Sequence, residues 1–415
     1  MIEVSATDVL RRSSPALKVA GIYGTAILLL FAAEIALART LPSQAFGQYS
    51  LTRNALPLIS ALSLLGIDQA VTRRLAAGDS EFGVRRAFRQ RIVLSVVMSL
   101  MGALITFWMT ERVGPAITVA VSGTGLVISD YSAAVLRGRG SYGMSALIQQ
   151  GYRLALGCIL IALVVTGQAE LGSSVAAIAV SVTLFAAIGA HRWLRRAKPL
   201  SRKRAGLSGL NRLGLAFGLS MIPFAALDWA DQALLTQAAG AGVTGMYAVT
   251  KLVTVYPLLS LASIGGFLLM PEVVRRAETV TRGRVERWTL LMIGGSLTAT
   301  IAWLAFAVVV IPPLLHQNPE TSLLVVLCAV GGVRLFYLLP SSLLGALGDT
   351  QLIVRTSAIG LLSLLLLPIV SWALGHQGVS PELAVAVGLL AATATRVAIS
   401  MVAVVRLTKR VEVSP

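Results

Sequence analysis

Apolar residues run through this chain in stretches of about twenty, the length at which a helix crosses the hydrocarbon core of a bilayer. Short polar segments separate the stretches. The pattern predicts twelve spans, at roughly 16–38, 48–70, 90–109, 115–136, 144–166, 172–191, 213–234, 245–269, 288–311, 321–341, 351–374 and 383–406. They must be helices, because an open sheet leaves backbone groups unsatisfied in lipid. Each span is apolar around most of its circumference, so periodicity does not say which face looks inward; polar residues have to.

Composition agrees. Of 415 residues, 56% are hydrophobic and 13% charged, with a mean hydropathy of +0.81, whereas a soluble domain carries about 25% charged residues. Little chain is left for a soluble domain. The N-terminus is polar through Ser14, and the first apolar run is long enough to span, which predicts a retained helix rather than a cleaved signal. Cys158 and Cys328 sit in apolar runs and read as small core residues, without metal or disulfide spacing.

The net charge of +17 suggests nucleic acid until its placement is considered. Every second connection is basic except Gly348-Asp349-Thr350 after the tenth span: Arg11 and Arg12 lie before the first span, Arg73 to Arg89 after the second, Arg137 and Arg139 after the fourth, and Arg192 to Arg212 after the sixth. Arg275 to Arg287 follow the eighth, and Arg406, Lys409 and Arg410 close the chain. The opposite connections hold only Arg39 and Arg112. This asymmetry is a topology signal that places both termini in the cytoplasm, and it argues against a nucleic-acid partner. Contact of the basic inner face with membrane lipids also fits.

The chain says nearly the same thing twice. Phe46-Gly47-Gln48-Tyr49-Ser50-Leu51-Thr52-Arg53 is echoed by Thr244-Gly245-Met246-Tyr247-Ala248-Val249-Thr250-Lys251, and Pro57-Leu58 by Pro257-Leu258. Fainter correspondence links the glycine turns Leu136 to Ser141 and Leu344 to Asp349. A duplication in an apolar chain is a mark of secondary transporters, whose path lies between the repeats. Six spans per copy is an even number, so both copies have one orientation. The fold class expected is an all-α polytopic membrane protein, with two six-helix lobes related by a pseudo-two-fold along the membrane normal. The lobes are residues 1–191 and 213–415, joined by a basic cytoplasmic linker, 192–212.

Ala38-Arg39-Thr40-Leu41-Pro42 followed by Phe46-Gly47-Gln48-Tyr49 resembles the polysaccharide-flippase (Wzx-like) branch of the MOP superfamily. Asp231-Gln232-Ala233-Leu234-Leu235, Gly245-Met246-Tyr247 and the Leu136-Arg137-Gly138-Arg139-Gly140 turn are similar to further elements of that branch, in its order. The resemblance covers the whole chain, although many members carry additional C-terminal spans. It implies translocation of undecaprenyl-pyrophosphate-linked oligosaccharides across a bacterial inner membrane for surface polysaccharide synthesis, beside a polymerase and glycosyltransferases. It also implies ion coupling in the second lobe. MATE exporters share the fold, so fold alone does not decide the cargo.

Charges within spans are costly and are candidate functional residues. The cations are Arg53, Arg153, Lys251, Arg334 and Arg396; the acids are Glu34, Asp130, Asp228 and Asp231. Arg53 and Lys251 hold equivalent places, about 9 Å into their spans when counted from Gly47 and Gly245. Facing each other across a cavity, they suit a pyrophosphate; pairing with nearby acids is the alternative. Arg153, Arg334 and Arg396 extend the cationic path or neutralise acids. Asp228 and Asp231 share a helix face, and two close carboxylates need a proton, a cation, or Na⁺ with oxygens such as those of Thr393, Thr395 and Ser357. Glu34 is the repeat counterpart of Asp231, and Asp130 joins the candidate coupling acids. Prolines 57, 257, 223, 340 and 368 permit kinks.

The leading reading is a flippase working by alternating access and driven by H⁺ or Na⁺, without a bound cofactor; no phosphate loop for ATP is present. The alternative is a MATE-like cation-coupled exporter of small organic molecules, which needs an acidic, aromatic cavity, against an aromatic content of only 6%. A membrane polymerase or ligase needs a large outer loop with catalytic charges, and the outer connections are short. Arg53→Ala and Lys251→Ala are each expected to abolish translocation in folded, inserted protein; normal transport by the double variant, read in reconstituted vesicles, refutes the paired-cation site.

Overall fold

The computed structural model describes residues 6–76, 82–196, 207–275, 281–315 and 319–413. Among them every regular element is helical: α1 (Ala6–Thr40), α2 (Ser43–Leu64), α3 (Ile67–Ala76), α4 (Phe82–Thr110), α5 (Val113–Gly138), α6 (Tyr142–Val165), α7 (Leu171–Arg196), α8 (Leu207–Arg275), α9 (Arg282–Leu315), α10 (Thr321–Leu347), α11 (Thr350–Leu362), α12 (Leu366–His376) and α13 (Pro381–Val413). Among the described residues ten stretches are long and apolar enough to cross a membrane, and the α2–α3 pair is an eleventh, bent by 59°. One of the ten, Gly209–Gly266 within α8, makes two crossings. A straight helix of 69 residues would run about 100 Å, against a core of about 30 Å. It folds back at Gly240, whose φ of 86° and ψ of 167° leave the helical region and suit glycine. Bonds between its limbs, such as Thr236 to Thr244 at 3.0 Å, confirm the hairpin. The crossings therefore number twelve, as the apolar runs predict. Residues 197–206 of the expected linker lie outside the described residues.

Three local features depart from the sequence reading. The sharp break in the second span falls at Leu65 and Gly66 rather than at Pro57, which stays inside α2. Both residues take positive φ, 46° and 69°. The eleventh span is relaxed by a 3₁₀ turn, Ser363–Leu365, between α11 and α12, where Pro368 cannot donate to the Leu364 carbonyl. The two glycine turns differ: Gly140 has φ 78°, whereas Gly348 is extended and Asp349 caps α11 by accepting from Leu352 N at 2.6 Å.

Alternating helix directions collect the basic segments at one end of the bundle, here called the basic end; the other is the arginine-poor end. α4 and α9 turn apolar side chains outward along their length, among them Leu100, Leu104, Leu290, Leu297 and Ile301, as lipid-facing helices should. The largest buried core joins both halves of the chain near the arginine-poor end: Leu37, Phe46, Tyr49, Leu56, Val119 and Ile178 pack with Ala248, Leu252, Ile311 and Leu324. Toward the basic end two smaller cores lie, and the halves meet there through α3 and the start of α8. One holds Ile67, Val71, Tyr131 and Trp193, joined from the second half by Leu210; the other holds Val273, Val285, Leu343 and Val404. Trp193 thus packs inside, against Phe88 at 4.6 Å, and does not sit in an interfacial belt.

Gly66 is a tightly constrained backbone position at the basic end. A Cβ there would press on the backbone of Gly218, Gly214 and Phe217, whereas one at Gly140 meets nothing within 4 Å. Gly66→Ala is expected to cost about 2–3 kcal/mol, and Gly140→Ala about 1, read as the ordering of thermal unfolding midpoints in detergent.

Candidate functional site

The helix starts set the depth of the central charges. α2 begins at Ser43, so the Phe46-Gly47-Gln48-Tyr49 segment is already helical and Arg53 lies ten residues, about 15 Å, along it. Lys251 lies eleven residues past the Gly240 break, about 16 Å. Both cations are near the bilayer midplane, deeper than the count from the glycines placed them.

Each cation is held by a carboxylate and a tyrosine from its own copy. In the first, Arg53 meets Glu34 of α1 at 2.6 Å, and the Tyr49 hydroxyl donates to the same carboxylate at 3.2 Å. In the second, Lys251 meets Asp231 on the first limb of α8 at 2.6 Å, and the Tyr247 hydroxyl donates to Asp231 at 3.0 Å. The three members correspond across the repeat: 34 with 231, 49 with 247 and 53 with 251. Burial explains the construction. Glu34 is 1% exposed, Asp231 and Lys251 are 0% exposed, and an isolated charge in such surroundings is prohibitively costly.

The second copy carries an additional rung. Asp228 meets Lys251 at 3.1 Å and Arg334 of α10 at 2.7 Å. Two acids and two cations balance there, so of the proton, cation and Na⁺ alternatives that the i, i+3 spacing left open, protein cations face Asp228 and Asp231 in this structure. Na⁺ between these acids would have to displace Lys251. Thr393 Oγ1 is buried without a partner among the described residues, on α13, which also carries Arg396. Among the described residues no group of three or more His, Cys, Asp or Glu side chains comes together to hold a metal.

The expectation that Arg53 and Lys251 face each other across a cavity is corrected by this pairing. Lys251 is enclosed within its own hairpin. The Arg53 side chain is 23% exposed and lies 5.1 Å from the ring of Tyr256, on the second limb of α8. Tyr256 in turn donates to Asn54 of α2 at 3.2 Å, so this corner of the site sits on the seam between the halves. Arg153 of α6 is half-buried and meets its neighbour, with Nε donating to the Tyr152 hydroxyl at 3.1 Å; no carboxylate among the described residues pairs with it. Asp130 of α5 accepts from Ser60 of α2 at 2.7 Å.

Arg396 of α13 is apart from the acids. It donates to the Ser220 carbonyl at 2.5 Å and lies 5.0 Å from the Phe224 ring, which Arg334 approaches at 5.5 Å. Gly360 makes room for it, since a Cβ there would strike the guanidinium. The tyrosine members, the Tyr256–Asn54 bridge and the role of Phe224 were missed from sequence. One signal was present: Tyr49 and Tyr247 each precede the cation by four residues, one helical turn.

Solved structures similar to this fold include MATE transporters. The inward-facing conformation of a multidrug resistance MATE family transporter of the MOP superfamily aligns at TM-score 0.61 and 15% identity, covering 96% of this chain and 98% of that one. The eukaryotic MATE transporter AtDTX14 aligns at 0.60 and 14%, covering 97% and 99%. The MATE multidrug transporter DinF-BH aligns at 0.65 and 12%, covering 99% and 97%. No protein-family model and no curated protein matches the sequence. The similarity shows the MATE transporter fold, and at such identities it shows the fold alone.

Removing one member of the Lys251 cluster leaves buried charge unmet. Lys251→Met is expected to destabilise the protein by about 3–5 kcal/mol, and Lys251→Met with Asp231→Asn to recover a large part of that. Thermal unfolding of the purified variants tests the ordering.

Proposed function

We propose that this chain is an ion-coupled, alternating-access transporter whose cargo is anionic: an undecaprenyl-pyrophosphate-linked oligosaccharide flipped to the outer leaflet of a bacterial inner membrane. The observation that carries the reading is Arg153. It is an intramembrane arginine with no carboxylate partner among the described residues; Arg53, in the same half, is partly open at the seam. Two guanidiniums, one without an acid and one exchangeable, suit phosphate oxygens. Tyr152 and Tyr256, already against these guanidiniums, add flat surfaces for a sugar or the start of the lipid.

In this reading the basic end is cytoplasmic, and the lobes 1–191 and 213–415 rock about the seam with 192–212 between them. Lys251, Asp228, Asp231 and Arg334 form the coupling cluster: a proton or Na⁺ arriving at the acids loosens Lys251, and cargo anion arriving at Arg53 competes with Glu34. Arg396 and Asp130 support the two lobes from within. No step requires a covalent intermediate, so the chain acts as a carrier and not as an enzyme, with polymerase and glycosyltransferases as its neighbours.

The fold similarity supports an exporter of small organic molecules equally well. Charge placement favours the anion: Glu34, Asp228 and Asp231 each already face a protein cation, which leaves those acids committed.

Arg153→Gln is expected to lower flipping of a fluorescent lipid-pyrophosphate oligosaccharide in proteoliposomes by more than about tenfold, with unfolding temperature unchanged, and Arg153→Lys to retain part of it. Wild-type protein that extrudes a cationic dye and leaves the lipid-linked glycan unmoved decides for the exporter.

A further inference from the structure

The two repeat motifs touch one another. Ser43, Gly47, Ala241 and Gly245 lie at the arginine-poor ends of α2 and of the second limb of α8. Their numbers are related by the repeat offset of 198 (241 − 43 and 245 − 47). A Cβ on Gly47 would press on the Ala241 carbonyl and come 2.9 Å from Gly245 N; a Cβ on Gly245 would press on the Ser43 carbonyl and come 3.2 Å from Gly47 N. Exchanging the two copies maps this contact set onto itself, so the crossing lies on the pseudo-two-fold axis. Neither helix has a side chain between its backbone and the other at these glycines. Around the crossing, the core formed by Phe46, Tyr49, Leu56, Ala248 and Leu252 is continuous across both halves.

We propose that the Gly47–Gly245 crossing is the outer gate of the transporter, and that the structure shows it shut. This rests on the transport reading but not on the identity of the cargo. The gate opens when α2 and the second limb of α8 part at the axis. The ion pairs a turn and a half deeper hold each helix to its own lobe: Arg53 to Glu34 of α1, and Lys251 to Asp231 on the first limb. Release of either pair, by cargo at Arg53 or by the coupling ion at Asp231, frees one leaf. Glycine is required at both positions because the obstacle to a side chain is backbone, which cannot rotate away.

The test uses full-length protein with Cys158 and Cys328 replaced by alanine and a reporter, Asn54→Cys, on the seam below the crossing. A membrane-impermeant maleimide is added from the outer face. Gly245→Val and Gly47→Val each force the helices apart, and labelling is expected to rise about fivefold or more over the parent. Gly242→Val, on the same limb where an added Cβ meets nothing within 4 Å, is expected to leave labelling unchanged. No rise in either of the first two, or an equal rise with Gly242→Val, overturns the gate. A second measurement covers failure of the valine variants to insert. In Gly47→Ala and Gly245→Ala protein, where the added group is a single methyl against backbone, labelling is expected to rise about twofold or more over the parent; no rise in correctly inserted protein overturns the proposal. Arg153→Gln separates the two readings: loss of lipid-linked cargo with the labelling pattern intact leaves the gate standing, and the gate can fail while cargo binding persists.

Discussion

A charge inside a lipid-embedded bundle has no water to solvate it, and this structure is organised around that constraint. Glu34, Asp231 and Lys251 are fully enclosed, so each had to find its countercharge within helical reach. The solution is the same in both copies. A carboxylate on one helix receives a cation and a tyrosine hydroxyl, spaced one turn apart, from the next. That arrangement fixes the rotation of α2 against α1 and of the two limbs of α8 against each other. Once those rotations are set, Gly47 and Gly245 point at one another, and the backbone contact on the axis follows.

The copies diverge where function requires it. In the second a further acid, Asp228, bridges Lys251 to Arg334; in the first an arginine at the edge, Arg153, has no acid to meet among the described residues. Charge is thereby closed in the second lobe and left open in the first. A closed, balanced network responds to a proton or a small cation; an open guanidinium responds to an anion. In the proposed function, one duplicated element serves coupling on one side and recognition on the other, with the two joined at α2 and α8.

Much of the fold was legible because lipid restricts the alternatives so severely. Twelve apolar runs could only be helices, basic connections gathered on one side with Arg39 and Arg112 alone on the other, and the echo of Gly47-Gln48-Tyr49 in Gly245-Met246-Tyr247 announced the symmetry. The pairing of Asp228 and Asp231 with cations was also foreseeable, since neighbouring buried carboxylates cannot both stay ionised without one. Less was legible at the breaks. Pro57 was the obvious candidate for a kink, yet the bend came at Leu65 and Gly66, where Gly214 and Gly218 of α8 demand room for backbone. A proline's missing hydrogen bond is a local property; the pressure of another helix is not.

The same division holds at the site. The sequence by itself determined which residues carry charge within the membrane, which helix each rides on, and which positions are equivalent between the copies, because composition and spacing along a helix are one-dimensional facts. Only the tertiary structure decided that Arg53 answers to Glu34 and Lys251 to Asp231, that Arg153 meets a tyrosine, and that the two repeat glycines meet. Spans apolar on nearly every face contain no periodicity to say which way they turn. Their rotation is chosen by the packing of neighbours and by the cost of leaving any buried charge alone.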